Sequence, residues 1–117
     1  MISDAENNID ITHAHDVTVA SNTLFAPVLD HLIVKNSERI VVTGNTFNPR
    51  QFKRPGALIF TNSKDCVLNG ATIHKATNAT GAVQLNNCSG FLLNALNLTD
   101  NAAGIALNKT TDTTISS

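Results

Sequence analysis

Hydrophobic and polar residues alternate along most of this chain in short segments of four or five residues. Alternation with a period of two is typical of half-buried β-strands, whereas an amphipathic helix repeats its apolar positions with a period near 3.6 residues. No apolar stripe of helical period occurs in the 117 residues. The pattern therefore predicts an all-β protein with a helix content near zero.

One nine-residue pattern recurs five times without internal gaps. Its copies begin at residues 11, 34, 60, 85 and 107, so successive copies are 23, 26, 25 and 22 residues apart. After an Asn-containing turn, each of the first four copies is followed by a further apolar anchor, namely Leu24, Phe47, Ile73 and Leu98. Each repeat thus predicts three short strands joined by turns, which is the content of one coil of a parallel β-helix.

Stacking the repeats predicts a parallel β-helix of about five coils that occupies residues 1–117 as a single domain, because this length holds one ordinary domain. Leucine-rich repeats have a similar length, but their L-x-x-L-x-L spacing is absent, while a sandwich or hairpin fold stays open as an alternative. Two inward columns are expected to line the core: Ile11, Val34, Phe60, Leu85 and Leu107, and Val19, Val42, Leu68, Leu93 and Ile115.

A polar column is expected at the turn that follows the first strand of each coil, formed by His13, Asn36, Asn62, Asn87 and Lys109. Asn tolerates the left-handed backbone conformation that a sharp turn needs. Stacked Asn side chains also hydrogen-bond to one another along cross-β ladders. The column therefore predicts an asparagine ladder that ends in His and Lys.

The segment VKNSERIVVTGNTF, residues 34–47, resembles the repeat of right-handed parallel β-helix proteins of the pectate-lyase-like group. The resemblance covers residues 9–117 and implies a right-handed solenoid in a secreted or cell-surface protein. The group includes polysaccharide lyases, glycoside hydrolases, uronate epimerases, tailspikes and noncatalytic surface proteins, so the resemblance implies the fold more strongly than the function. No catalytic residue is carried over, because no catalytic motif of the group is present.

Composition and charge exclude several partners. The net charge is −1 with 15 % charged residues, so no general basic field indicates a nucleic-acid partner. The longest apolar run is only a few residues, which excludes a membrane-spanning helix. Cys66 and Cys88 are too few for a disulfide framework, and His and Cys lack zinc-like spacing. No metal or other cofactor is therefore expected.

The acidic residues predict a salt-bridge ladder more than a catalytic site. In the repeat alignment Arg39 lies between Asp16 and Asp65, and Glu38 lies beside Lys64. Exposed pairs of this kind mainly help to fix the register of neighbouring strands. Among the outward positions of the first strands only Asp10 is a carboxylate, whereas glycoside hydrolysis usually needs two.

The longest loop between coils, residues 48–56, is the candidate binding site. It places Arg50, Lys53 and Arg54 around Phe52 between two prolines, and the next loop adds Lys75 directly above, near Lys35. Arg pairs bidentately with carboxylate or sulfate groups, so the sequence predicts a site for an anionic polysaccharide. A solvated loop whose charge keeps the coil edge soluble is the alternative.

The predicted function is therefore a β-helix scaffold module of a carbohydrate-active or surface protein. A portion of a polysaccharide lyase, glycoside hydrolase or uronate epimerase is one alternative, and a structural adhesin or tailspike-like rod is another. Residues 1–8 are polar and too short to cover the first coil, and bare strand edges favour association. We therefore expect either end-to-end self-association or further coils of a longer parent chain.

Replacing Asn62 with Ala should lower the free energy of unfolding by about 1 kcal/mol or more, because ladder neighbours would lose their hydrogen-bond partner. Chemical denaturation of the wild type and of Asn62→Ala measures this difference. An unchanged free energy of unfolding would count against the ladder.

Overall fold

The computed structural model describes residues 1–117 and contains fifteen short strands in three five-stranded parallel sheets. Sheet 1 contains β1 (Ile2–Ser3), β4 (Thr23–Phe25), β7 (Thr46–Asn48), β10 (Thr72–His74) and β13 (Asn97–Thr99). Sheet 2 contains β2 (Ile9–Thr12), β5 (Leu32–Lys35), β8 (Leu58–Thr61), β11 (Val83–Asn86) and β14 (Ile105–Asn108). Sheet 3 contains β3 (His15–Ala20), β6 (Glu38–Thr43), β9 (Val67–Asn69), β12 (Leu92–Asn94) and β15 (Thr114–Ser116).

The chain visits the three sheets in turn, so each strand pairs with the strand three places later along the chain. This order makes a parallel β-solenoid of five turns and confirms the predicted fold class. Strands of two to six residues cannot bury a core alone, and their stability comes from the coils above and below. No helix of the structure is long and apolar enough to cross a membrane.

The strand register reproduces both predicted core columns. Ile11 pairs with Val34, and the column continues through Phe60 and Leu85 to Leu107. The column from Val19 to Ile115 is equally continuous. Leu107 and Ile115 lie in the last turn that the structure describes, where they are 47 % and 53 % exposed.

The predicted turn column adopts the left-handed conformation in all five coils, with φ between 50° and 55° at His13, Asn36, Asn62, Asn87 and Lys109. The ladder itself is shorter than predicted. Its one amide–amide bond joins Asn87 Nδ2 to Asn62 Oδ1 at 2.7 Å. Only this pair of the column has neighbouring amides in hydrogen-bonding positions.

A second polar ladder, which the repeat alignment did not predict, runs along the outer surface of sheet 3. Asn69 donates to Thr43 Oγ1 at 3.2 Å, and Asn94 donates to Asn69 Oδ1 at 2.8 Å. Ser116 completes the column by donating to Asn94 Oδ1 at 2.8 Å. Four coils are thus joined by side-chain bonds in addition to the backbone ladder.

The N-terminal residues contribute more than their polarity predicted. Ile2 and Ser3 form β1 and pair with Leu24 and Phe25, so the first segment adds a fifth strand to sheet 1. Ile2 also packs against the hydrophobic core. Residues 1–8 therefore supply the sheet 1 strand of the first coil and do not form a cap over that coil.

His31 is the most unusual core residue. It precedes β5, is fully buried, and neither ring nitrogen has a hydrogen-bond partner. Its ring packs edge-on against Phe47 with centroids 5.3 Å apart. Gly56, at φ +60°, brings the following loop over the imidazole, where an added Cβ would lie 3.6 Å from the ring. Burial lowers the pKa of His31 to about 4, because it penalises the charged form.

Acid should destabilise the fold through His31. Its pKa rises from about 4 in the folded chain to 6.5 on unfolding, so the unfolded state binds the proton first as the pH falls. We expect about 3 kcal/mol of the free energy of unfolding to be lost between pH 6.5 and 4. Urea unfolding at several pH values measures this loss. It should shrink in His31→Phe and persist in His74→Phe, and equal losses in the two variants would contradict the assignment.

Candidate functional site

Two depressions mark the solenoid surface. The first, which we call the turn groove, follows the turn between sheets 2 and 3 along four coils. Its lining is almost entirely polar and consists of His13, Ala14, His15, Asn36, Ser37, Glu38, Asn62, Ser63, Lys64, Asn87 and Ser89. The left-handed turn residues form one side of the groove, and the first residues of the sheet 3 segments form the other.

Buried hydroxyl groups hold the floor of the turn groove together. Ser37 Oγ accepts from the amide of Ala14 at 3.1 Å and donates to the carbonyl of Lys35 at 2.8 Å. Ser63 repeats this arrangement one coil higher by accepting from the amide of Ser37. These bonds satisfy backbone groups that the change of strand direction would otherwise leave unpaired in a buried position.

The carboxylates of Glu38, in the turn groove, and of Asp16, beside it, are both held in ion pairs. Arg39 binds both oxygens of Asp16, at 2.6 and 3.1 Å. Glu38 contacts Lys64 at 3.4 Å, as predicted, and also contacts Arg39 at 3.1 Å, which the repeat alignment did not predict. The expected pair between Arg39 and Asp65 is wrong, because the guanidinium group is already held by Asp16 and Glu38.

These contacts decide what the groove can do chemically. The guanidinium group of Arg39 holds the pKa of Asp16 well below its usual range. A glycosidase acid needs the opposite shift, since it must carry a proton near neutral pH. Asp16 therefore remains an ion-paired carboxylate and does not serve as a proton donor.

The second depression, which we call the loop pocket, lies on the flank where the loops between sheets 1 and 2 stack. Arg50, Phe52, Lys53 and Lys75, all predicted from the sequence, line it together. Gln51, Thr77 and Asp100 complete the lining. The structure thus gathers basic residues from two successive loops and an acidic residue from a third.

Backbone bonds between successive loops build this pocket. The amide of Thr77 donates to the carbonyl of Arg54 at 3.0 Å, and the amide of Asn78 donates to the carbonyl of Pro55 at 3.1 Å. The Thr77 hydroxyl also donates to the Arg54 carbonyl at 2.7 Å. The loops therefore continue the coil-to-coil register beyond the ends of the strands.

Aromatic rings fix the arginines of the loop. The guanidinium carbon of Arg50 lies 3.6 Å from the centroid of the Phe25 ring, and that of Arg54 lies 4.8 Å from the centroid of Phe52. Arg54 does not line the pocket, and its buried Nε has no hydrogen-bond partner. Its role is to support the Phe52 ring, which is 41 % exposed.

Lys35 stands apart from the other predicted residues. It is the last residue of β5, at the end of the strand that leads to the turn groove, and it does not line the loop pocket. The loop that carries Arg50 enters sheet 2 at the opposite ends of its strands. The structure therefore separates Lys35 from the remaining basic cluster.

The charge of the loop pocket is unbalanced. Three basic side chains and one carboxylate line it, which gives a formal charge of +3 − 1 = +2. All four ion pairs of the structure involve Asp16 or Glu38, so Arg50, Lys53 and Lys75 form none. The pocket thus presents uncompensated cationic donors to solvent.

Sequence reasoning missed Thr77 and Asp100 because it aligned the strands but left the unequal loops unaligned. Extending the alignment outward from the paired strands would have found them: Thr99 pairs with His74, so Asp100 lies beside Lys75. Both Lys75 and Asp100 have positive φ, at 55° and 56°. The shared conformation is the signal that these two loop positions are equivalent.

Comparison with known proteins identifies the family. The family model described as "NosD: Periplasmic copper-binding protein (NosD)" matches residues 1–117, so the chain belongs to the NosD family. No match was found among the curated proteins or among the solved structures.

The family description makes copper the metal to test against the side chains present. Copper in proteins is bound by imidazole, thiolate and thioether groups. No group of three or more His, Cys, Asp or Glu side chains in this chain is placed to hold a metal ion. His13 and His15 both line the turn groove, but no third ligand joins them there, and His15 is hydrogen-bonded to Asp16 at 2.8 Å. His31 is enclosed in the core. These residues do not fit a copper centre.

The two thiols do not fit one either. Cys66 and Cys88 are free and buried, and their thiol groups point to backbone carbonyls of Lys64, Phe60 and Asn86 at 3.3 to 3.4 Å. Burial raises the pKa of Cys66 to about 11 and also raises that of Cys88. Copper ligation requires the thiolate, which both environments disfavour.

We expect both native thiols to react slowly with a chromogenic disulfide reagent. A rise in the pKa of Cys66 from 9.0 to about 11 alone lowers its thiolate population about a hundredfold, and burial blocks access as well. Absorbance should show almost no release of chromophore until urea is added, when two equivalents should react. Ser117→Cys, at an exposed position, should add one fast-reacting thiol. Fast reaction of the wild type would contradict the burial of the cysteines.

Proposed function

We propose that this NosD-family β-solenoid is a noncatalytic scaffold that binds an anionic polysaccharide at the loop pocket. The observation that carries the proposal is the convergence of Arg50, Lys53 and Lys75 in one pocket without an ion-pair partner. Free cationic donors on a shaped surface favour a ligand that brings negative charge.

The chemistry of the lining favours an acidic sugar chain over a simple anion. Arginine binds carboxylate or sulfate with two parallel hydrogen bonds, while the exposed lysines act as point charges. Phe52 offers an apolar ring face, and Gln51 and Thr77 add polar groups that can hydrogen-bond hydroxyls. Asp100 supplies a hydrogen-bond acceptor beside the cations, and the hydroxyl groups of a sugar can donate to it.

The scaffold makes this site rigid. Successive loops are joined by backbone hydrogen bonds, and Arg50 is held over the Phe25 ring at 3.6 Å. Little conformational freedom is lost when such a site is occupied, so a modest number of contacts is sufficient for binding. The resemblance to pectate-lyase-like proteins supports a polysaccharide as the ligand.

Catalysis as part of a lyase, hydrolase or epimerase is the weaker candidate. The carboxylates of the turn groove are ion-paired, and the pKa of Asp16 is shifted away from that of a general acid. The loop pocket holds a single carboxylate, Asp100. The periplasmic description of the family supports an exported protein, and we extend this to a secreted or cell-surface location.

Affinity electrophoresis through gels that contain acidic or neutral polysaccharides tests the proposal. The wild type should be retarded by acidic gels, and Lys53→Ala/Lys75→Ala should bind about tenfold more weakly, the equivalent of about 1.4 kcal/mol. Retardation should also fall with added salt, because the contacts are exposed and charged.

Lys35→Ala/Lys109→Ala is the matched control, since it removes the same charge from exposed lysines that lie outside the pocket and form no ion pair. Lys75 and Lys109 both have positive φ, 55° and 50°, so each double variant also changes one left-handed position. The control should be retarded like the wild type. Equal loss in both variants would show a nonspecific charge effect, and no retardation of the wild type in any gel would refute glycan binding.

A further inference from the structure

His31 lies beneath the loop that carries most of the loop pocket, residues 48–56. Phe47 comes directly before this loop, and its ring packs edge-on against the imidazole with centroids 5.3 Å apart. Gly56 is the last residue of the loop and lies over the imidazole, where an added Cβ would be 3.6 Å from the ring atoms Cδ2 and Nε2. One buried side chain therefore contacts the residues at both ends of the loop.

A short set of hydrogen bonds holds the loop closed over His31. The Gly56 amide donates to the carbonyl of Leu29 at 2.9 Å, and the His31 amide donates to the carbonyl of Ala57 at 3.0 Å. The carboxylate of Asp30 accepts from the Ala57 amide at 3.0 Å. All of these residues lie outside the strands, so the loop opens at a lower cost than the sheets on either side of it.

The closed loop accommodates only the neutral imidazole. Neither ring nitrogen of His31 has a hydrogen-bond partner, so a protonated ring would find no acceptor. The charged groups of the neighbouring elements have other contacts: the carboxylate of Asp30 accepts a backbone amide, and the Arg54 guanidinium group lies 4.8 Å from the centroid of Phe52. Glu6, in the preceding loop, binds the next loop through its backbone carbonyl, and the other basic residues of residues 48–56 line the loop pocket.

We propose that His31 is an acid-sensitive latch, whose protonation releases residues 48–56 and thereby takes apart the loop pocket. The neutral imidazole keeps the loop closed by packing between Phe47 and Gly56. A charged imidazole needs water around it, and it reaches water when the loop opens. The consequence for glycan binding rests on the proposed function, whereas the opening of the loop does not.

Opening of the loop changes the loop pocket because the basic residues of the pocket lie on different loops. Arg50 and Lys53 belong to residues 48–56, whereas Lys75 belongs to the next loop. The carbonyl of Arg54 joins the two loops by accepting from the amide and the hydroxyl of Thr77, at 3.0 and 2.7 Å. Loss of these bonds would separate the basic side chains, so protonation of the latch should weaken the binding of an anionic ligand.

The direction of the pH effect follows from proton linkage. Burial in the closed loop holds the pKa of His31 at about 4, and opening returns it to 6.5, so the open form binds the proton first as the pH falls. The ratio of open to closed loop should therefore rise about twentyfold between pH 7 and pH 5. Below about pH 4 both forms are protonated, and no further rise is expected.

Amide hydrogen exchange of the unmodified chain measures the opening directly. After correction for the intrinsic pH dependence of exchange, the protection of the Gly56 amide should fall about twentyfold from pH 7 to pH 5. The Thr77 amide should follow it, because its acceptor lies on the loop. Constant protection at Gly56 would overturn the proposal. A fall at Gly56 without one at Thr77 would overturn it too, since the pocket would then stay assembled.

Urea distinguishes opening of the loop from unfolding of the whole chain, which also exposes His31. Local opening exposes little surface, so exchange at Gly56 should be unaffected by low concentrations of urea. Leu92 is the internal control: its amide, in β12, donates to the Cys66 carbonyl at 3.0 Å, and its exchange should rise with urea. The same rate and the same urea dependence at both amides would overturn the proposal, because His31 would then bind its proton only in the unfolded chain.

Substitutions identify the titrating group. His31→Phe keeps an aromatic ring beside Phe47 and removes the proton-binding site, so the protection of the Gly56 amide should be equal at pH 7 and pH 5. Asp30→Asn is the matched control, since it removes the neighbouring carboxylate, keeps an acceptor for the Ala57 amide and should retain the twentyfold fall. A fall that persists in His31→Phe, or that is lost in Asp30→Asn, would contradict the assignment.

Gly56→Ala tests the latch without changing the imidazole. A residue with a side chain is strained at φ +60°, although the added Cβ would meet the His31 ring at an ordinary contact distance of 3.6 Å. The strain favours the open loop, so the amide of residue 56 should be less protected at both pH values and still show the twentyfold fall. Circular dichroism verifies that each variant folds. If His31→Phe does not fold, the wild type, Asp30→Asn and Gly56→Ala still decide the outcome.

Dextran sulfate, whose sulfate groups stay charged at both pH values, tests the coupling between the latch and the loop pocket. A ligand that binds only the closed loop should raise the protection of the Gly56 amide about tenfold at a free concentration of about ten times its Kd. Lys53→Ala/Lys75→Ala should lose this gain. Retardation of the wild type by dextran sulfate without a gain at Gly56 would overturn the coupling. No retardation would refute glycan binding alone, because the exchange measurements without ligand decide the opening of the loop.

Discussion

The coil-to-coil register of parallel strands is the constraint on which every other feature of this molecule depends. The structure contains 68 backbone–backbone hydrogen bonds, of which 31 lie within strands that are two to six residues long. Such short strands gain little from their own sequence, so their order comes from the pairing of one coil with the next. The same pairing fixes which side chains stack, because a slip by one residue would turn every apolar side chain outward.

The register also organises polar groups that lie outside the strands. At the turn between sheets 2 and 3, Ser37 and Ser63 occupy equivalent buried positions and satisfy neighbouring amides. On sheet 3, the side-chain amide of Asn94 donates a hydrogen bond to the side-chain oxygen of Asn69 in the neighbouring coil. In the loop pocket the carbonyl of Arg54 binds the amide of Thr77. A repeated fold therefore builds sites by bringing together residues about one repeat apart, which explains how separate loops supply one basic pocket.

The NosD family description and the side chains of this chain indicate different kinds of ligand. The family description names copper, whereas no three potential copper ligands are grouped here: His31 and both cysteines are buried, and His13 and His15 share the turn groove without a third ligand. The cationic loop pocket, whose basic side chains form no ion pairs, is the feature on which the proposed function rests.

The sequence by itself determined the β-solenoid, its five coils, the core columns and the left-handed turns at positions such as Asn62, because alternation and repeat spacing are local signals that every coil repeats. It also identified most of the loop pocket, since Arg50, Phe52, Lys53 and Lys75 lie in the longest loops. Only the tertiary structure decided the partner of Arg39, the unpartnered burial of His31, the pairing of Ile2, the separation of Lys35 and the place of Asp100. These features depend on side-chain direction and on unequal loops, which do not follow the repeat period.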